Sequence, residues 1–390
     1  MAFEELKDAI KKAVDAERDR LIELSLKIHA NPELGFQEIK AQEWLTVYLA
    51  TNGFTVEKGT GGMPTAFRAS YGQGKPVIAF LAEYDGLPEV GHACGHNIIA
   101  AAAAGAGTAA RLAADNFPGT IRVIGTPAEE LHGGKITMVE RGVFKDIDAA
   151  MMVHPGVTDT ATTEALACLT LDVEFFGKEA HAAANPEAGI NALEAMILSY
   201  NGINSLRQHI RPSARIHGII TEGGKAANVV PGHSAGNFLV RAEDDAYLDE
   251  LKERVLDCFA GAAKATGARL EYKWADTRYE AMRNNMTMAN IYRQNMETLG
   301  RHVLPAEPYR ALGSTDMGNV SQVVPGIHPF VRIAGTEVVA HTRDFAAAAG
   351  SEVGMRAMLD AAKALAMTAA DLLAAPDLLR QVKEEFNVKS

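Results

Sequence analysis

Apolar positions along the chain follow two different rhythms. Residues 76–81 (Pro-Val-Ile-Ala-Phe-Leu), 120–125 (Thr-Ile-Arg-Val-Ile-Gly) and 149–153 (Ala-Ala-Met-Met-Val) are short, nearly continuous apolar runs. Such runs suit strands covered on both faces in a parallel sheet. Between the first two lies the Ala-rich stretch Ile98 to Ala114, whose small side chains predict a helix packed closely on that sheet. Upstream, Phe3 to His29 reads as one amphipathic helix stopped by Asn31-Pro32, and Phe36 to Thr51 as a second, ended by Asn52-Gly53. The glycines of 59–62 lack the Gly-Lys-Ser/Thr ending of a phosphate loop and predict a turn. A short helix, Gly134 to Glu140, precedes the third strand.

From about Leu166 the pattern changes. Cys168 to Phe175 alternates, Pro186 to His209 reads as a long helix, and Ile216 to Thr221 and His233 to Arg241 read as strands. Asp245 to Thr266 is a helix and Ala268 to Trp274 a last strand. The order βαββαβ is that of the ferredoxin-like split motif. Helical segments resume after Tyr279, with a loop at Gly313 to Asn319, a strand at Phe330 to Ile333 and a helix at Val353 to Leu373 broken by Pro376. The pattern predicts an α/β protein of two domains, as 390 residues also suggest. Residues 1–166 and 279–390 form a domain with a mostly parallel sheet flanked by helices; residues 167–278 form an inserted α+β domain.

Each apolar strand of the first domain runs into polar residues competent to bind metal. Glu83, Asp85 and the loop Gly91-His92-Ala93-Cys94-Gly95-His96-Asn97 follow the first, Glu129-Glu130 the second and His154 the third. Parallel α/β sheets build their sites on that edge. Cys94 with His92 and His96 is either a reduced core cysteine beside structural histidines or a metal site. In an extended segment Glu129 and Glu130 point apart, so one could bind metal while the other serves as general base to a water. The same pair could equally be a solvated helix start. Asp85 is suited to orient a histidine through its second ring nitrogen, or to cap a turn. His154 and His341 stand in loops, where a histidine needs no ligand role.

Charge and composition narrow the function. A formal net charge of -11 leaves no basic stripe for phosphates, so nucleic acid is not an expected partner. The 3 cysteines, Cys94, Cys168 and Cys258, are too few for a disulfide scaffold and fit a reducing compartment, the cytoplasm. No apolar leader segment is present and no run is long enough to span a bilayer, so membrane association is not expected.

Six ordered motifs then bear on the family: His29-Ala-Asn-Pro-Glu-Leu-Gly-Phe-Gln-Glu38, Gly91 to Asn97, Pro127-Ala-Glu-Glu130, Val153-His-Pro155, Phe176-Gly-Lys-Glu-Ala-His-Ala-Ala183 and Asn228-Val-Val-Pro231, closed by His341. Together they resemble the M20 metallopeptidase family, in its amidohydrolase branch of aminoacylases, auxin-conjugate hydrolases and aminobenzoyl-glutamate hydrolases, over nearly the whole chain. The resemblance implies two divalent ions, zinc or manganese, with Cys94 as bridging ligand and His96, Glu130, His154 and His341 as terminal ligands. It implies Glu129 as general base and Asp85 as the carboxylate behind a ligand. The inserted domain would be a lid and dimerisation domain, whose His181 reaches a neighbouring subunit's site. Asn228 and Arg241 would hold a substrate carboxylate. Asn97 stands where much of the branch has aspartate, and Glu83-Tyr84-Asp85 where many relatives carry aspartate before methionine. With Gly313 to Met317 and Val324 to Pro329, these departures pull the chain toward aminobenzoyl-glutamate hydrolases and related dipeptidases. The implied activity is metal-dependent hydrolysis of a small N-acyl or N-aroyl amino acid or dipeptide with a free carboxylate. A cysteine hydrolase using Cys94, or a silent binding protein on the hydrolase fold, are the rival readings. An open edge on the inserted sheet predicts a homodimer.

Overall fold

The computed structural model describes residues 3–305 and 313–388; the stretch 306–312, inside the expected 279–390 segment, lies outside them. These residues divide into two compact units, one of 3–164, 282–305 and 319–388, the other of 165–281 and 313–318.

The first unit opens with two helices, α1 (Phe3–Ala16) and α2 (Arg18–His29), where the sequence predicts one. Backbone torsions at Glu17 leave the helical region, and the apolar stripe changes with them. Leu6, Ile10 and Val14 are buried on α1, then Leu21, Leu24 and Ile28 on α2. Helix α3 (Ile39–Thr51) starts three residues later than expected, because Phe36 has φ +63° and cannot continue a right-handed helix.

Strands β1 (Thr55–Lys58), β2 (Phe67–Gln73), β3 (Val77–Ala82), β4 (Gly119–Gly125) and β5 (Ala149–Met151) build one sheet, completed by a late strand. Every residue of β3 is buried, as its continuous apolar run requires. The Ala-rich helix α4 (His96–Asn116) packs on β3 and β4. Its glycines permit the approach: a Cβ on Gly107 would lie 2.4 Å from Val123 Cγ2. Helices α5 (Glu129–His132) and α6 (Gly134–Glu140) follow β4, and β6 (His154–Gly156) follows β5.

The second unit contains β7 (Ala167–Phe176), α7 (Ala192–Leu206), β8 (Arg215–Glu222), β9 (His233–Ala242), α8 (Asp245–Thr266) and β10 (Arg269–Trp274). Its antiparallel sheet has the order β10-β7-β9-β8. The expected helix 186–209 is shorter. A 3-10 turn at Pro186–Ala188 is separated from α7, whose N-cap Asn191 accepts from Leu193 and Glu194. Helix α8 has the expected ends, fixed by Asp244 as N-cap and Gly267, at φ +77°, as C-cap.

The remaining elements are α9 (Met286–Thr298), α10 (Met317–Val323), β11 (Gly326–Ile327), β12 (Phe330–Arg332), α11 (Arg343–Ala349), α12 (Glu352–Ala374) and α13 (Pro376–Asn387). β11 completes the first sheet in the order β1-β2-β4-β3-β5-β11. The four strands β4, β3, β5 and β11 run parallel, with β1 and β2 an antiparallel edge. Helix α12 packs on α4, so α4 is enclosed. Among the described residues no helix is long and apolar enough to cross a membrane.

Candidate metal centre

The C-terminal ends of β3, β4 and β5 converge on one cluster of side chains. β3 delivers Glu83 and Asp85. The following loop delivers Cys94, and α4 begins at His96, with Gly95 between them at φ +78°. A Cβ on Gly95 would lie 2.4 Å from Pro155 Cγ. Glycine there lets the loop lie against the residue that follows His154.

Among the groups of three ligand atoms that form, two contain Cys94: Cys94/His96/His154 and Cys94/Glu130/His341, each with its atoms within 4.8 Å of one another. Cys94 is common to both. Its Sγ lies 3.4 Å from His154 Nε2, and Glu130 Oε1 lies 3.7 Å from His96 Nε2 and 3.6 Å from His341 Nε2. His341 has φ +66°, and its backbone N–H donates to Ala93 at 2.9 Å, tying the late loop to the Cys94 loop. Its side chain is 55% exposed, whereas that of His96 is fully buried.

Hydrogen bonds behind the cluster set which nitrogen faces it. His96 Nδ1 lies 2.9 Å from the Asp85 carbonyl and 3.0 Å from Asp85 Oδ1, so this nitrogen donates to Asp85 and Nε2 faces the cluster. Asp85 Oδ2 accepts from the Glu130 N–H at 3.0 Å. His154 Nδ1 donates to the Pro155 carbonyl at 2.7 Å, again leaving Nε2 for the cluster. Burial pulls the His154 ring down to about 3, the neutral form a ligand needs. Burial would lower His96 as well, but the Asp85 carboxylate beside Nδ1 raises it well above the ordinary value. Burial would raise Asp85; the His96 ring and the Glu130 N–H outweigh it and hold this carboxyl below its usual range.

Glu129 and Glu130 correct one expectation. They are not extended but form the first turn of α5, after Ala128 in the left-handed conformation. Side chains one residue apart on a helix diverge less than on a strand. Carboxylate oxygens of both reach within 4.8 Å of His96.

The donor set fits a divalent cation. Buried His96 Nε2 and Glu130 Oε1 have no hydrogen-bond partner among the described residues. Such orphans are costly unless something fills the space between them. Thiolate, imidazole and carboxylate together suit borderline-soft ions.

His181, Asn228 and Arg241 lie in the second unit. The first two are neighbours: His181 bridges Val229, and Ala182 N–H donates to the Asn228 carbonyl at 3.0 Å. His181 Nδ1 accepts from the N–H groups of Ala183 and Ala184 at 3.2 and 3.1 Å, so its proton sits on Nε2. Arg241, on β9, donates through Nη1 to Ser314 Oγ at 2.9 Å, while its Nε is buried without a hydrogen-bond partner among the described residues.

Sequence reasoning did not find the buried surroundings of the cluster. Lys135, on α6, is fully buried and ion-paired to Glu83, whose other oxygen lies 3.5 Å from His96 Nε2. Burial would raise Glu83, but the Lys135 ammonium and the His96 ring hold it low. His328 is also buried, with Nδ1 3.1 Å from the Met152 carbonyl and its ring edge-on to His154 at 5.5 Å. A carboxylate ending an otherwise apolar strand signals that a buried cation partner is needed, without saying which one.

Comparison with known proteins places the chain in a family. The pattern of peptidase family M20/M25/M40 matches residues 79–370. The Xaa-Arg dipeptidase of Mus musculus is 38% identical, with 99% of this chain and 93% of that protein aligned. A p-aminobenzoyl-glutamate hydrolase polypeptide of Escherichia coli (strain K12) is 31% identical, over 98% of this chain and 95% of that protein. A solved structure from Bacillus subtilis, described as a dinuclear metal-binding peptidase of the M20 family, superposes with a TM-score of 0.75 at 22% identity, covering 92% of this chain and 99% of that one.

Proposed function

Starting from the premise that this chain belongs to peptidase family M20/M25/M40, we propose that it is a two-metal amidohydrolase for small substrates. The bond cleaved is the amide of an N-acyl or N-aroyl amino acid, or of a dipeptide, with a free carboxylate. The names of two relatives support this class: one is a dipeptidase, the other acts on an aroyl-amino acid. The observation that carries the reading is the pair of ligand triads sharing Cys94, with orphaned donor atoms inside them.

Cys94, His96, Glu130, His154 and His341 would hold two divalent ions, zinc or manganese. Bound there, the ions supply Lewis-acid polarisation of the scissile carbonyl and lower the pKa of a water. Glu129, half-buried at the start of α5, takes the proton of the attacking water and returns it to the leaving amine. Asp85 keeps His96 in the tautomer that binds through Nε2. His181 donates from Nε2 to the developing oxyanion, delivered from a second copy of the chain. Arg241 and Asn228 hold the substrate carboxylate; a guanidinium with a buried, unused N–H is suited to that task. The homodimer forms through the inserted domain, whose edge strand β8 exposes Ile219 and Ile220.

The cysteine-nucleophile reading is weaker. Its base would be His92 or His96. Burial pushes the Cys94 thiol up and the His92 ring down to about 3, opposing proton transfer between them, and a thiol nucleophile leaves the buried Glu130 Oε1 beside His96 unexplained. Replacing Glu129→Gln tests the assigned base. The variant should bind metal as the parent does and lose about 10³-fold in kcat; retained turnover would remove Glu129 from this role.

A further inference from the structure

The segment from Pro32 to Glu38 touches both loops that carry the candidate centre. Gly86 N–H, next to Asp85, donates to the Glu33 carbonyl at 2.8 Å. Gly35 lies so close to Ala128 that a Cβ on it would be 2.8 Å from the Ala128 Cβ. The Phe36 ring, on a left-handed backbone, stacks on His132 at the end of α5, with centroids 5.2 Å apart. Glu38 is fully buried, and its Oε1 accepts from the Ala128 N–H at 2.8 Å.

Ala128 is the residue on which the aim of Glu129 and Glu130 depends. It holds φ +60°, ψ +46°, unfavourable for a residue with a Cβ. Such a conformation persists only where the surroundings over-determine it. Here both polar groups of Ala128 are engaged: its N–H by Glu38, and its carbonyl by the Gly134 N–H at 3.1 Å. Glu38 stands at the N-cap position of α3 yet makes no side-chain cap bond there. Among the described residues its second oxygen, Oε2, is buried without a hydrogen bond of good geometry, and burial pushes the carboxyl up to about 7 against the opposing pull of its own N–H, the Thr65 hydroxyl and the Ala128 N–H. A carboxyl kept in so dry a place is costly for the fold, and the 2.8 Å bond from the Ala128 N–H is one of those that offset the cost.

We propose that Glu38 is a positioning residue: through the Ala128 amide it locks the left-handed turn that brings Glu129 and Glu130 onto the face of the cluster. Its use in turnover rests on the amidohydrolase reading; its hold on Ala128 and on Glu130 does not.

The test compares Glu38→Ala, Glu38→Gln and Glu38→Asp in the full chain by three readouts. These are hydrogen exchange over 128–132, calorimetric Mn²⁺ titration of the metal-stripped protein, and kcat and KM on an N-acyl amino acid panel. Glutamine keeps an acceptor oxygen at the same reach, so Glu38→Gln should stay within about fivefold of the parent in all three. Glu38→Ala should expose the Ala128 amide to exchange, weaken Mn²⁺ binding about tenfold, and lower kcat about 10²-fold with KM nearly unchanged. Should the alanine variant not fold, Glu38→Asp, one methylene short, should show the same losses. Parent-like exchange and Mn²⁺ affinity in the alanine or aspartate variant would overturn the proposal, as would a glutamine variant as impaired as alanine. If the parent cleaves no amide in the panel, the amidohydrolase reading fails, while exchange and Mn²⁺ titration still decide on Glu38.

Discussion

Replacing Asp85→Ala removes one carboxylate that serves two ligands at once. Its Oδ1 lies 3.0 Å from His96 Nδ1, and its Oδ2 accepts from the Glu130 N–H at 3.0 Å. Losing a group that orients a metal ligand typically weakens metal binding about 10- to 100-fold. The structure points to the lower end. The Asp85 backbone carbonyl, 2.9 Å from the same Nδ1, survives the substitution and keeps the His96 tautomer. The expected loss is about tenfold, or ~1.4 kcal/mol. The Glu130 N–H is left without its acceptor, which should cost the metal-free protein about 1–2 kcal/mol of stability. Asp85→Asn sharpens the test. Two donors face this side chain and an amide offers only one acceptor oxygen, so asparagine should restore little. The assay is competition for Zn²⁺ or Mn²⁺ against a chromogenic chelator, with urea unfolding of the metal-free proteins alongside. Parent-like affinity in Asp85→Asn would refute the reasoning.

Two further predictions concern stability and assembly. Asp148 accepts from Lys383 Nζ at 2.6 Å, Lys75 Nζ at 2.9 Å and Val77 N–H at 2.7 Å, joining α13 to the start of β3. Burial would raise its carboxyl, but Lys383 and the other donors lower it. A depressed folded-state pKa stabilises above the unfolded value, about 3.9, and the gain is lost as pH falls through the folded value. Asp148→Asn should therefore cost about 1–3 kcal/mol at pH 7, with the gap to the parent closing below about pH 4; a gap unchanged at pH 3 in urea unfolding would contradict this. Ile219→Lys on β8 should convert a dimer to a monomer in light scattering, because Ile219 is 63% exposed on an edge strand; a parent that is already monomeric would contradict the assigned interface.

What the sequence reveals follows from which forces are local. β3 and β4 are legible because strands buried on both faces are continuous apolar runs. Helix α8 is legible to the residue because Asp244 and Gly267 cap it with side chains and torsions of their own. The break at Glu17 and the turn at Phe36 are not legible. Neither Glu17 nor Phe36 is itself a glycine or proline, so neither announces its departure from right-handed helical torsions. Cys94 and His96 stand out because two soft donors flank a glycine. Lys135 does not: a lysine near the start of a short helix gives no sign of burial. Its partner Glu83 is 52 positions away. The clustering of Glu129 with Glu130 is hidden for a similar reason, since the left-handed Ala128 that starts α5 is held by Glu38 from a separate part of the chain.

The central claim is that Cys94 is shared by two cation sites on which hydrolysis depends. The most direct measurement is the metal content of the parent and of Cys94→Ala, with amide hydrolysis followed before chelation, after it and on reconstitution with Zn²⁺ or Mn²⁺. The expected result is two equivalents per chain in the parent, loss of both in the variant, and activity that disappears and returns with the metal. Full hydrolysis by exhaustively stripped protein, or two tightly held equivalents in Cys94→Ala, would contradict it.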